Sequence, residues 1–162
     1  MKLVITGHDE AGKSIFSHAG TPLREVSPGT YELWATSGAL EVPDATDAMK
    51  PSEIGYFPVD GESAFKVVSI PGKAAAMDDS HAPMPEEIAH YFDSDDPGMH
   101  TTDTIDYVVI LAGVAELELD DGRSETVRAG DCVVQRGTRH AWRVTSEEPL
   151  VLVATLLGAK RR

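Results

Sequence analysis

Gly98-Met-His-Thr-Thr-Asp-Thr-Ile-Asp-Tyr107 and Gly130-Asp-Cys-Val-Val-Gln-Arg-Gly-Thr-Arg-His-Ala-Trp142 are the two blocks on which the fold turns. Both set β-type runs between glycine turns, and between them they place His100, Asp106 and His140. Two imidazoles and a carboxylate are the donor types that a non-haem metal centre needs.

Outward from these blocks the pattern is strand and turn. Strands are expected over 99–103, 105–112, 114–119, 124–128, 132–136, 139–145 and 149–157, with turns at Asp120-Asp-Gly-Arg123, Ala129-Gly-Asp131 and Gly137-Thr138. Glu116 and Glu118 alternate with Ala115, Leu117 and Leu119, giving one wet face and one core face. Many short strands at close spacing indicate an antiparallel sandwich or barrel.

Upstream, 2–6 and 14–18 form an expected hairpin around a glycine-flanked turn. Tyr31, Leu33 and Ala35 share one face of a strand, and a further strand is expected near Tyr56–Val59. Ala64–Ile70 is a strand ended by Pro71-Gly72 and resumed over Lys73–Met77. Residues 78–98 interrupt the pattern: Pro83 and Pro85 precede a helix of one to two turns that carries Ile88, Tyr91 and Phe92 on one side. The insertion enters just before His100, so it is either a lid over the barrel opening or a helix on the outer wall.

With 162 residues the chain holds one compact core and an arm, here divided into an extension over 1–61 and a barrel over 62–162. Fourteen basic against 27 acidic residues give a net charge of −13, which repels phosphate backbones and anionic lipid, so neither nucleic acid nor membrane is an expected partner. No run approaches the ~20 apolar residues of a membrane span. The single Cys132, in an apolar run, is expected to be a buried structural thiol. These features fit a cytoplasmic protein.

On a straight strand His100 and Asp106 would share a face yet lie ~20 Å apart at ~3.3 Å per residue. A turn within Thr101–Thr104 would bring them together across a hairpin, with His140 joining at the mouth. The same parity carries Val108 and Ile110 inward from Asp106, and Trp142 and Val144 inward from His140. Tyr107 falls on the opposite face. Val108 and Trp142 are therefore pocket-wall candidates, with Thr102 and Thr104 beside them and Tyr91 above. Arg136 and Arg139 flank the mouth as carboxylate binders or as a solvated rim. His8, His18, His81 and His90 are expected at the surface.

These residues resemble the cupin superfamily, whose motifs are G-x5-H-x-H-x3-4-E-x6-G and G-x5-P-x-G-x2-H-x3-N. Here H-x-T-x3-D-x6-G runs from His100 to Gly113, and G-D-x4-R-G-x2-H from Gly130 to His140. The resemblance spans roughly 62–157. Thr6-Gly-His-Asp-x-x-Gly-Lys13 and Leu33-Trp-Ala-Thr36 are also similar to a subgroup of small cupins with a β extension before the barrel. The resemblance implies an all-β jelly-roll barrel with an N-terminal β extension and one short helical insertion.

The departures bear on function. Thr102 occupies the second metal-histidine position, Asp106 the glutamate position, Arg136-Gly137 a shortened Pro-x-Gly, and Val144 the asparagine position. Four ligands are implied and three are matched by type, His100, Asp106 and His140. They would take a divalent metal (Fe, Mn, Zn or Ni); without one, His100 and His140 line a pocket and Asp106 orients an imidazole or accepts from the threonines.

Two classes follow. One is an enzyme on an oxygenated carbonyl or carboxylate substrate, with His140 or His100 as general acid/base and Asp106 in support, by lyase, dehydratase, cyclase or isomerase chemistry. The alternative is a non-catalytic small-ligand binder; an iron dioxygenase is a further alternative. A homodimer is expected, with the N-terminal strands crossing to the second copy.

Overall fold

The computed structural model describes residues 1–22, 24–44, 46–47, 50, 52–76 and 86–162, with the side chains of 75, 76, 86 and 87 left out. Its strands are β1 (Leu3–His8), β2 (Ser14–Gly20), β3 (Arg24–Ser27), β4 (Thr30–Ser37), β5 (Glu62–Ile70), β6 (Thr104–Ala112), β7 (Val114–Glu118), β8 (Ser124–Arg128), β9 (Cys132–Arg136), β10 (Ala141–Val144) and β11 (Leu150–Gly158). Two single-turn helices, α1 (Lys73–Ala76) and α2 (Glu86–Ala89), stand between β5 and β6.

The strands make a six-stranded sheet in the order β3-β4-β5-β11-β6-β9, a three-stranded sheet β10-β7-β8, and a separate ribbon β1-β2. All pairings are antiparallel. In the large sheet Ala154 lies opposite Val108 and Leu156 opposite Asp106, so these four share the inner face. The buried core is Val108, Ile110, Leu150, Leu152, Ala154 and Leu156 from this sheet, with Ala115 and Val127 from the small one. Trp142 and Val144 pack against it. Each buried leucine or isoleucine contributes about 1.5–3 kcal/mol, which makes this contact the main cohesive force between the sheets.

Gly113 sets the turn between β6 and β7. Its φ is +79°, and a Cβ there would lie 2.5 Å from the Pro149 carbonyl oxygen, so only glycine lets β6 reverse so close to β11.

Several expectations change. Lys73–Ala76 is helical rather than a resumed strand, in keeping with three successive alanines; Met77 lies outside the described residues. Tyr56–Val59 joins no ladder, and the Tyr56 carbonyl accepts from Lys66 Nζ. Over 99–103 only His100 pairs, in isolated bridges to Phe92 and His140, and no hairpin separates it from β6. In β4 the buried residues are Thr30 and Glu32 rather than Tyr31 and Leu33, and a register shift between Glu32 and Trp34 breaks the alternation. Cys132 is exposed, since it pairs with Val109 on the outer face while Val133 turns inward opposite Val108.

Candidate functional site

Met99 is almost fully buried, and the next residue, His100, forms an antiparallel bridge with His140. Each residue donates its backbone N–H to the other's carbonyl at 2.9 Å, and the ring centroids lie 4.2 Å apart. His140 follows the β9–β10 turn and is buried; Phe92 stacks on His100 at 4.7 Å, and Trp142 meets His140 edge-on at 6.2 Å.

The Nδ1 of His100 faces the Gly98 carbonyl at 3.0 Å, and that of His140 faces the Thr138 carbonyl at 2.9 Å. A carbonyl only accepts, so both neutral rings carry the proton on Nδ1 and leave a lone pair on Nε2. Burial, reinforced by the neighbouring His100, pushes His140 down to about 4. Burial also lowers His100. At neutral pH the pair is therefore uncharged, with two Nε2 acceptors.

On the inner face of β6 a polar row runs inward. The Thr102 and Thr104 hydroxyls are 2.8 Å apart, and Thr104 in turn hydrogen-bonds Asp106. Burial raises the Asp106 carboxyl above its usual range, against the lowering effect of that bond. Gln135 stands directly opposite Asp106 on β9, its Oε1 held by the Thr138 hydroxyl at 2.9 Å. Among the described residues, neither Asp106 Oδ1 nor Gln135 Nε2, both buried, has a hydrogen-bond partner. An unmet acceptor and an unmet donor on facing residues each cost about 1–3 kcal/mol, the kind of strain a bound polar group relieves.

The structure thus brings His100 and His140 together and sets Thr104 and Asp106 on the inner face of β6, with Thr102 just before the strand. No hydrogen bond joins Asp106 to either imidazole; it accepts from the threonine instead. Free Nε2 atoms with Nδ1 tied to carbonyls suit metal ligands, but among the described residues no three His, Cys, Asp or Glu side chains group around one point. The described donor set is a pair of imidazoles and does not fit a three-ligand metal site.

Val108 is a core residue, and Tyr91 packs its ring on Phe57 at 4.7 Å. Tyr107 is exposed, as its parity requires. Arg139 is paired with Asp93, Asp96 and Asp120, and Arg143 with Asp96 and Glu118. These pairs pin residues 93–98 across β10. Ile88 is buried and Phe92 packs on His100, so the described part of the insertion lies against that imidazole; residues 78–85, including His81, lie outside the described residues. Arg136 lies apart, lining a cavity with Thr102 and Thr104.

Sequence reasoning passed over Gln135, Lys66, Glu32 and Tyr56. Lys66 is 2% exposed, its Nζ 4.2 Å from the Tyr56 ring centroid, and burial lowers its amine to about 8. Glu32 lies opposite it, holding Arg24 at 2.8 Å, while its buried Oε2 has no partner among the described residues. The signal was parity: Lys66 shares a face with Ala64 and Val68, and Gln135 with Val133.

Residues 91–156 match the family model described as the Cupin domain. A phomopsin biosynthesis cluster protein C' of Diaporthe leptostromiformis is 53% identical over 45 residues, 28% of this chain and 24% of that protein. Oryzines biosynthesis cluster protein J of Aspergillus oryzae is 42% identical over 52 residues, 32% of this chain and 29% of its own length. A cupin-domain-containing oxidoreductase, fogC of Aspergillus ruber, is 27% identical over 146 residues, 85% of this chain and 61% of the relative. In all three the match spans less than two thirds of the relative.

Among solved structures, a double-stranded β-helix protein from Klebsiella pneumoniae gives a TM-score of 0.43 at 18% identity, over 68% of this chain and 84% of that one. A cupin protein from Bacteroides fragilis gives 0.40 at 14%, over 62% and 69%.

Proposed function

We propose that the protein is an enzyme that moves a proton on a small oxygenated substrate, a carbonyl or carboxylate compound, in lyase, dehydratase, cyclase or isomerase chemistry. The observation that carries this reading is the His100–His140 pair, uncharged and Nδ1-anchored, with Phe92 stacked on His100. His140 Nε2 is the base that takes the proton. Gln135 Nε2 is a donor for an oxygen that gains negative charge, and Asp106, its carboxyl raised above the usual range by burial, is the group that returns a proton. Thr102 and Thr104 orient the carboxyl, while Trp142, Tyr91 and Val108 wall the site.

The test is solvent exchange: a panel of 2-oxo and 3-oxo acids in deuterium oxide, followed by proton NMR. Enzyme-dependent loss of the α-proton signal, reduced about 100-fold in His140→Ala, supports the reading. Exchange that survives that substitution overturns it.

A second reading, oxidation or reduction of the substrate, is favoured by the printed name of the Aspergillus ruber relative. A product differing from its substrate by two hydrogens would select it. A non-catalytic binder, favoured by Thr102 in a ligand position, would hold a ligand unchanged. We also propose a homodimer. The ribbon β1-β2 joins neither sheet and exposes Val4, Ile15 and Phe16, while the outer face of β6 and β9 exposes Tyr107, Leu111 and Val134.

A further inference from the structure

At the corner where β6 begins, the β9–β10 turn and the chain after β11 line an open cavity of about 270 Å³. Its lining includes Arg136, Lys160, Arg161 and Arg162, with Asp103 as the only acid among the described residues. Four of the chain's 14 basic residues converge here in a protein of net charge −13. Lys160 is paired with Asp60 at 3.2 Å, and Arg161 with Asp103. Arg136 and Arg162 have no ion-pair partner among the described residues.

The corner is built rather than frayed. Arg161 Nη2 donates to the Thr102 carbonyl at 3.0 Å, and Ala159 N–H to the Asp103 carbonyl at 2.8 Å. Gly137, at φ +64°, lets the turn approach so closely that a Cβ would lie 3.3 Å from the Thr102 carbonyl oxygen. Thr102 and Thr104, both buried, also line the cavity, and their hydroxyls begin the chain that ends on Asp106.

We propose that this cavity binds a compact oxyanion, the carboxylate or phosphate group of a small molecule. Guanidinium groups suit both, because their planar N–H fork matches two oxygens at once. An unpaired Arg136 beside two further guanidiniums supplies more positive charge than Asp103 offsets. The strongly acidic remainder of the surface leaves this corner as the place where an anion is drawn in rather than repelled. The inference rests on the proposed function only for the identity of the anion as part of the substrate, and binding is read without turnover.

Succinate and inorganic phosphate are titrated separately into nitrogen-15-labelled protein at low salt, following the backbone amides of Thr102, Gly137 and Ala159. Saturable shifts at these amides are expected, weakening as sodium chloride is raised and weakened about tenfold by Arg136→Gln. Arg136→Glu should abolish them, and Arg123→Gln, on the exposed β7–β8 turn, should leave them unchanged. Saturation by succinate alone assigns a carboxylate; by phosphate alone, a phosphate ester. No shift with either anion overturns the proposal, as does equal weakening by Arg123→Gln or full binding in a folded Arg136→Gln variant. Anion binding here with proton exchange unaffected in His140→Ala would retain this site and remove the catalytic reading.

Discussion

His100 and His140 exchange both backbone hydrogen bonds at 2.9 Å and hold their imidazoles 4.2 Å apart, although 40 positions separate them in the chain. The bridge fastens the segment before β6 to the start of β10, joining an end of each sheet at one point.

Acid should destabilise the protein through this pair. The folded His140 titrates at about 4 against 6.5 for the free side chain, so the unfolded chain binds the extra proton between those values. Its stabilising contribution is complete above pH 6.5 and is lost as pH falls toward 4, at most about 3 kcal/mol. Asp106 acts in the opposite sense, its raised carboxyl favouring the fold below 3.8 and losing that contribution as pH rises through its folded value. Urea unfolding at pH 7 and pH 4.5 should show a loss that is smaller in His140→Gln. An equal loss in both proteins would remove His140 as its source.

Lys66 carries a cost at neutral pH. Its amine is lowered from 10.5 to about 8 by burial, so its contribution is complete above 10.5 and is lost as pH falls through 8. Lys66→Met should raise stability at pH 7 by on the order of 1–3 kcal/mol, with a smaller gain at pH 10. Destabilisation at both pH values would mean that the Nζ contact with Tyr56 outweighs desolvation.

The clamp over the imidazoles should yield to a double substitution. Arg139 and Arg143 hold Asp93, Asp96 and Glu118, and Arg143 also holds the Pro97 carbonyl. In Arg139→Ala/Arg143→Ala, cleavage within 93–98 by a nonspecific protease should accelerate severalfold while thermal unfolding moves little. Unchanged cleavage would show that Ile88 and Phe92 suffice to hold the segment.

Dimer formation is checked by sedimentation. Wild type should sediment as a dimer, and Phe16→Asp or Tyr107→Asp should shift it toward monomer. A monomeric wild type at micromolar concentration contradicts the proposed pairing.

The strands of the barrel were legible because alternation and turn residues agree there. The spans 124–128 and 132–136 coincide with β8 and β9, and the inward parity of Val108, Ile110, Trp142 and Val144 holds. Alternation fails where the register shifts, as at Glu32 in β4, and where a polar side chain occupies a core-facing position, as Lys66 does. Hydrophobicity alone assigns such residues to solvent. The association of His100 with His140 was expected, but the backbone bridge that makes it depends on long-range pairing that no local pattern encodes, and the hairpin expected between His100 and Asp106 does not form. The placement of Asp106 beside Gln135 needs the β6–β9 register, which only the folded sheet supplies.

Whether the site holds a proton or an ion is read most directly from the imidazole nitrogens of His100 and His140 by long-range nitrogen-15 NMR, across pH 3–8 and with one equivalent of Zn(II) added at pH 7. The account predicts neutral rings at pH 7 with the proton on Nδ1, His140 charging near pH 4, and no Nε2 shift on adding zinc. Protonation of His140 near pH 6.5, a proton on Nε2, or a stoichiometric zinc-induced shift of both Nε2 resonances would contradict it.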